Sequence, residues 1–365
     1  MSAQGRTTAS SVAANELIDF VSRLFVAAGL PDHAASEVAG GLVEADLDGL
    51  SSHGVMLADM YIDRLRKGSV LRNTSAAVVS ERNGAVVLDA GHALGHLTGR
   101  QAMTIAVEKA NQFATGIVTV RHGFHFGTAG RYARQAAQAG CIGIAMCNTR
   151  PLMPAPGGAE RVVGNNPLAI ALPTAGEIPV VLDMATSEAA MGKIRMAEKA
   201  KEAIPLNWAV TVNGEPTTNP TEAIAGMLLP ASGAKGFGLS FMIDLMCGLL
   251  SHGAFGPQVQ PLYGDFAVPY DCSHLFIAVD VAHFCDVGWF RQQVAAAAER
   301  IRNGKRAAGV EHLFIPGEPE WRRHQAAKGK VKLDSAVSIM LTRLANELGV
   351  PNNPLRNTTK EGPHA

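Results

Sequence analysis

Leu17, Phe20, Val21, Leu24, Phe25 and Ala28 recur at three- and four-residue spacing, the period of one buried helix face. Gly29 stops that helix, and Pro31-Asp32 opens a second that carries Val38, Leu42 and Val43 toward Asp46. A third holds Tyr61, Ile62 and Leu65 and ends at Gly68. Near Val78 the texture changes, and short apolar runs alternate with helical segments. The runs predict strands over Ala85–Asp89, Ile117–Arg121, Ile142–Cys147, Leu168–Leu172, Val180–Asp183, Ala209–Val212 and Leu275–Asp280. The segments between them predict helices over Gly99–Phe113, Ala129–Gly140, Glu188–Glu202, Gly238–Ser251 and Val287–Asn303. Helical periodicity returns after Glu318 and around Ser335–Leu348. We therefore expect a helical domain over residues 1–76, completed by C-terminal helices at about 318–350, and an α/β domain over 77–317. Residues 351–365 read as a frayed tail. The strand–helix alternation alone suggests a doubly wound parallel sheet.

Composition narrows the picture. A chain of 365 residues suits two or three domains. Only 18% of residues are charged against 47% hydrophobic, which fits a large interior, part of it at a subunit interface. Lys plus Arg and Asp plus Glu are both 32, so no basic field is available for nucleic acid or an anionic membrane. The five cysteines contain no C-x-x-C pair, which removes a zinc ribbon and leaves buried, reduced thiols of a cytoplasmic protein. The start, MSAQGRTTASS, lacks the apolar core of a signal peptide. The most apolar window, Leu239 to Leu250, is interrupted by Asp244 and is too short to span a bilayer.

No G-x-G-x-x-G stands between a strand and a helix, and no P-loop occurs, so any dinucleotide site must be built another way. Ser51-Ser52-His53-Gly54 places a histidine beside a hydroxyl, as a proton donor or as helix-capping polar residues. Arg121 to Thr128 (RHGFHFGT) joins a strand to a helix, where α/β proteins place ligands. Its H-x-x-H pair lacks a third ligand, and His92 and His96 read as solvated or capping histidines, so no metal is expected. Gly164-Asn165-Asn166-Pro167 is a turn or a ligand contact. Val180 to Ser187 delivers Asp183 at a strand end, to cap a helix, orient a histidine or bind a ribose. Pro230 to Gly238 combines small residues with Lys235, a point charge for phosphate. Ile315 to Glu320 is a tight turn opening a helix.

The order S-H-G…Y, H-F-G, G-N-N-P, D-M-A-T-S, P-T-T-N-P, K-G-F-G-L and P-G-E, from about Leu17 to about Glu320, resembles the malate/L-lactate dehydrogenase family. That family has a non-Rossmann nucleotide fold and includes ureidoglycolate, sulfolactate, diketogulonate and piperideine-2-carboxylate oxidoreductases. The resemblance implies an α/β (α+β) protein with a helical N-terminal domain and a mixed or antiparallel sheet, not a classical Rossmann fold. It implies NAD or NADP as cofactor, a small-molecule substrate and a homodimer. His53 matches the family's proton donor, with Ser52 and Asp183 as its relay and His125 as a competing acid/base. His125, Phe126, Gly127, Asp183, Met184, Ala185, Thr186, Ser187, Ala234, Lys235, Gly236, Gly317 and Glu318 match cofactor-contacting segments. Tyr61, Arg121, Thr149 and Asn165 are candidates for the substrate.

Two positions depart from the pattern. Leu57 stands where many members carry an arginine suited to gripping a carboxylate, a duty that Arg121 or Arg150 could take over. Asn207 precedes Trp208 where many members have glycine. The expected reaction interconverts a 2-hydroxy acid and a 2-oxo acid; cyclic imino acid reduction and ureidoglycolate-type oxidation are alternatives. A serine hydrolase using Ser52, a histidine and Asp183 is a rival of another class, but Gly49-Leu50-Ser51-Ser52-His53 breaks the G-x-S-x-G elbow.

Overall fold

The amphipathic spacing at the start of the chain does build helices. In the computed structural model, which describes residues 10–357, a strand β1 (Ser10–Ala13) leads into α1 (Ala14–Ala27), whose buried face is Leu17, Phe20, Val21, Leu24 and Phe25. The next helix, α2 (Asp32–Leu47), buries Val38, Leu42 and Val43. α3 (Ala58–Lys67) ends where Gly68 turns left-handed at φ 80°, a conformation that glycine adopts without the Cβ clash. These elements belong to a first unit, which takes the described residues up to Thr74 and those from Pro319 onward; Ser75–Glu318 is the second.

The second unit is organised on one sheet. Its elements are β2 (Ala77–Arg82), β3 (Ala85–Asp89), α4 (Gly95–Phe113), β4 (Thr115–Gly123), α5 (Ala129–Gln138), β5 (Cys141–Cys147), β6 (Leu168–Leu172) and β7 (Val180–Met184). α6 (Met191–Ala200), β8 (Ala209–Val210), α7 (Pro220–Ala225), β9 (Met227–Leu228), α8 (Ala234–Ser251), β10 (Cys272–Asp280) and α9 (Val287–Arg302) follow. The seven-stranded order is β2-β3-β4-β10-β5-β6-β7. Only β3 and β4 pair in parallel, and every other neighbour is antiparallel. The doubly wound parallel sheet suggested by alternation alone is thereby corrected, and the mixed sheet stands.

Register explains how the faces are covered. Gly116, Ala278 and Gly143 lie in one row across β4, β10 and β5. α4 and α5 lie close over that row, and a Cβ at Gly143 would sit 2.7 Å from the Ala136 methyl. On the opposite face Met146 and Leu275 pack with Ile243 and Cys247 of α8. By length and composition α8 is apolar enough to cross a membrane. Its inner face nevertheless carries Asp244, which accepts from Asn148 Nδ2 at 3.1 Å and the Gly256 N–H at 3.0 Å. A small satellite core of Met153, Val163, Ile194, Ile204 and Leu228 holds α6 and the β8–β9 ribbon.

The chain then closes the first unit with α10 (Glu318–Ala327), β11 (Lys330–Leu333) and α11 (Ser335–Leu348). β11 pairs antiparallel with β1, from Ser10 opposite Leu333 to Ala13 opposite Lys330. Of the stretch expected to fray, Pro354–Asn357 forms a 3-10 turn with Leu355 buried, and residues 358–365 lie outside the described residues.

Candidate active site

In the first unit the Ser51-Ser52-His53-Gly54 segment is a 3-10 turn between α2 and α3. Its shape is set by Asp46, near the end of α2. One Asp46 carboxylate oxygen accepts the Val55 N–H at 2.8 Å, and a Cβ at Gly54 would land on that carboxylate. The glycine of the motif therefore makes room for an acid. Burial pushes the Asp46 carboxyl up from 3.8 to about 6, against the lowering bonds from Val55 and Ser51. Ser52 Oγ lies 3.0 Å from His53 Nδ1, and burial holds the imidazole below its ordinary value. The Ser52 hydroxyl orients the ring through Nδ1, and a neutral imidazole is suited to proton exchange. Tyr61 is fully buried, with Phe25 at 6.5 Å between ring centroids, and Leu57 is buried as well.

In the second unit the expected cofactor segments meet the edge strand β7 at both of its ends, Gly317 beside Val181 near its start and the Asn165, Ala231 and Gly236 segments at Thr186 beyond its last residue. Asp183 Oδ2 accepts the Gly130 N–H at 2.8 Å, tying β7 to the first turn of α5. Thr186 N–H donates to Asn165 O at 3.1 Å, and Ala231 N–H to Thr186 O at 2.9 Å. Ser187 bridges to Pro230. A Cβ at Gly236 would stand 2.8 Å from Thr186 O, and one at Gly317 2.9 Å from Val181 O. Met184 and Ala185 are half-buried, Thr186 and Ser187 buried, and Asp183, Ala234 and Lys235 exposed. Lys235 occupies the first turn of α8, whose N-cap, Gly233, supplies no side-chain bond; Lys235 has no ion pair among the described residues. The Glu318 carboxylate is buried, accepts from the Ile315 N–H and lies 3.4 Å from Arg302 Nε.

The H-F-G loop is held from below. Phe126 is buried between Tyr132 and the face of His274, with ring centroids 5.1 and 4.7 Å away. Its own carbonyl accepts the Tyr132 hydroxyl at 2.5 Å. His125 is half-buried, and Gly127 turns left-handed at φ 78°. His96, read from sequence as solvated or capping, is buried in the first turn of α4; a Cβ at Gly127 would stand 2.7 Å from its Nε2. His122 Nδ1 and Arg121 Nε both bind Asp89, at 3.0 and 2.9 Å. Among the described residues, neither the 122/125 nor the 92/96 histidine pair joins a three-ligand group.

The two candidate carboxylate clamps differ sharply. Arg121 is committed to Asp89. Arg150, one residue after Thr149, is half-buried and makes no hydrogen bond or ion pair among the described residues. Desolvation, then the positive charges of Arg161 and Arg195, lower its pKa, with Tyr270 opposing. Beside it, Thr149 Oγ1 lies 3.1 Å from both Asn165 Oδ1 and Asn166 Oδ1, and Asn166 Nδ2 donates to Ser240 O of α8 at 2.9 Å. Sequence reasoning assigned no role to Asp46, Asn148 or Asp244; of the three only Asp244, inside the apolar run Leu239 to Leu250, stands out by residue type. Asn207, the second departure, donates to Glu188 Oε1 at 3.1 Å.

The malate/L-lactate dehydrogenase family model matches residues 12–341. A malate dehydrogenase of Pyrococcus abyssi is 36% identical over 312 residues, 83% of this chain and 85% of the relative. A ureidoglycolate dehydrogenase (NAD(+)) of Escherichia coli O157:H7 is 35% identical over 82% of this chain and 86% of its own. The solved sulfolactate dehydrogenase of Methanocaldococcus jannaschii superposes with a TM-score of 0.88 at 33% identity, covering 93% of this chain and 98% of that one.

Proposed function

This chain belongs to the malate/L-lactate dehydrogenase family, and from that premise we propose that it interconverts a small 2-hydroxy acid and its 2-oxo acid with NAD or NADP. The observation that carries the substrate class is Arg150, a half-buried guanidinium without a carboxylate partner among the described residues, repelled by Arg161 and Arg195. An anionic substrate relieves that repulsion, and a planar fork grips a carboxylate by two parallel bonds. Thr149 and Asn165 flank it with a hydroxyl and an amide.

The residues present fit a dinucleotide. The start of α8 offers backbone N–H groups uncapped by a side chain, together with the Lys235 ammonium, a combination suited to phosphate. When bound, the nicotinamide supplies or accepts the hydride. The chain's own contribution is proton handling and orientation. His53, neutral because burial lowers its pKa, accepts the hydroxyl proton during oxidation and returns it during reduction. Ser52 fixes its ring through Nδ1. Asp183 serves the cofactor side, since its carboxylate already caps α5 through Gly130.

We also assign a soluble, cytoplasmic homodimer. The exposed Leu239, Phe241, Met242, Leu249 and Leu250 of α8 supply apolar surface that association would cover, and sedimentation velocity tests it. The function itself is tested by following nicotinamide absorbance. NAD and NADP are offered with malate, lactate, sulfolactate and ureidoglycolate, and the reduced cofactors with 2-oxo acids and cyclic imino acids. Turnover confined to 2-hydroxy and 2-oxo acids is expected. Turnover of imino acids alone moves the assignment to C=N reduction, and no turnover with any pair overturns it.

A further inference from the structure

Cys147, Cys272 and His274 come together on the α4/α5 face of the central sheet. Antiparallel register sets Cys147 on β5 directly opposite His274 on β10, and Cys272 lies two residues earlier on the same strand. All three side chains are buried, and their three ligand atoms lie within 4.8 Å of one another. Cys272 Sγ is 3.2 Å from His274 Nε2. From these positions we propose that the trio is a soft-metal site of the second unit, occupied by zinc(II), and that it ties β5 to β10 beneath the H-F-G loop.

Three features support it. The first is the donor set. Two thiols and an imidazole, ligand types that zinc takes, meet in the interior, where Cys272 Sγ contacts His274 Nε2 and Cys147 Sγ meets the Asn148 carbonyl. The second is room. A Cβ at Gly123 would stand 2.9 Å from His274 Cε1 and 3.3 Å from Nε2, so glycine leaves open the side of the ring that faces the sulfurs. Phe126, stacked on that ring at 12°, fixes its plane. The third is charge. Two thiolates and a neutral imidazole bring the site to neutrality with a divalent cation, whereas copper(I) would leave one negative charge in the interior, where unpaired charge is costly.

Distances fit with small adjustments. Atoms within 4.8 Å of one another lie no farther than about 2.8 Å from a common centre, against zinc bonds of about 2.3 Å to sulfur and about 2.0 Å to nitrogen. A fourth position falls to water or to the Asn148 carbonyl, which lies 2.9 Å from Cys147 Sγ. Binding replaces two thiol protons, which leave to solvent, and no electron is transferred.

The test does not depend on enzyme activity. The full chain is produced in zinc-supplemented medium, dialysed without chelator and analysed for metal by mass spectrometry. A parallel sample is refolded with cobalt(II), whose thiolate charge-transfer absorption reports sulfur ligation. We expect about one equivalent of metal per chain and a charge-transfer band. Cys147→Ser and Cys272→Ser should each lose both, and Cys141→Ser, on the same strand but outside the trio, should keep both. Should the serine variants fail to fold, X-ray absorption of the metal-loaded wild type decides, with two sulfurs and one nitrogen expected. A metal-free wild type with five free thiols, a Cys147–Cys272 disulfide, or metal retained in both serine variants would each overturn the proposal.

Discussion

Asp46 sits with its carboxyl pushed up to about 6 because burial outweighs the Val55 and Ser51 bonds. The sign follows from proton counting. The folded chain holds this proton more tightly than the unfolded one, so the stability it contributes is complete below about 4 and is lost as pH rises through 6. At about 1.4 kcal/mol per unit, the loss by pH 8 is on the order of 3 kcal/mol. Asp46→Asn keeps an acceptor for the Val55 N–H and removes the charge. Urea unfolding should therefore show the variant gaining on the wild type between pH 4 and pH 7; parallel profiles would show that the carboxyl is not destabilised. For substrate, Arg150→Ala should lower kcat/KM for 2-oxo acids about tenfold to a hundredfold, the worth of a charged hydrogen bond, and leave the Kd for NADH unchanged. Unchanged kcat/KM would return the clamp to another group. His53→Ala should lower kcat by roughly a hundredfold to ten-thousandfold with cofactor binding intact. His125→Ala should weaken binding instead, and the reverse pattern would exchange the two roles.

α8 allows a sharper comparison between two glycines of one helix. A Cβ at Gly236 meets only backbone: Ala231 O, Ala231 N at 2.7 Å and Thr186 O at 2.8 Å. None of these atoms can rotate away, so Gly236→Ala must shift the start of α8 relative to the end of β7. A Cβ at Gly238, two residues on, meets nothing within 4 Å. Gly238→Ala should stabilise the protein by up to about 1 kcal/mol through helix propensity, and Gly236→Ala should destabilise it by about 1–3 kcal/mol. Only the second should weaken binding of NADH. Thermal melts with a cofactor titration check both, and equal effects would dissociate Gly236 from the cofactor segment. The same helix shows what a sequence reader can and cannot see. Its apolar run was plain, but its first turn, Ala234 to Phe237, reads as loop because Gly and Ser crowd it. Likewise α4 begins at Gly95, ahead of the expected Gly99, because Gly95-His96 carries no helical periodicity.

Local periodicity made α1, α2, α3, α5 and α11 legible, since each is amphipathic or mostly apolar over ten residues or more. β2 was missed because all six of its positions are exposed, so no alternation marks it. β1 and β11 were missed because four residues are too few to show a period. The motifs near His53, Asp183 and Lys235 were visible as residue types, but Cys147 opposite His274 depends on register between strands more than a hundred residues apart, which no local pattern encodes. The first unit raises the same problem at the largest scale, because its two parts come from opposite ends of the chain. β11 supplies the only strand that pairs with β1 among the described residues, Arg343 Nη2 binds Asp59 of α3 at 2.7 Å, and His324 Nδ1 lies 2.7 Å from Asp48 Oδ1. Leu341, Leu344 and Ala345 of α11 are buried. A chain ending at Glu318 therefore strands an apolar face of α1 and α3 in water while leaving the seven-stranded sheet complete. Fully exposing three aliphatic side chains of that kind costs several kcal/mol, about the whole stability of a small unit. The truncated protein should keep the cooperative unfolding of the sheet-containing unit, lose the protection of α1 to α3 from amide hydrogen exchange, and lose turnover through His53 while still binding NADH. Full protection of α1 to α3 in the truncated chain would mean that the N-terminal helices fold without their C-terminal partners.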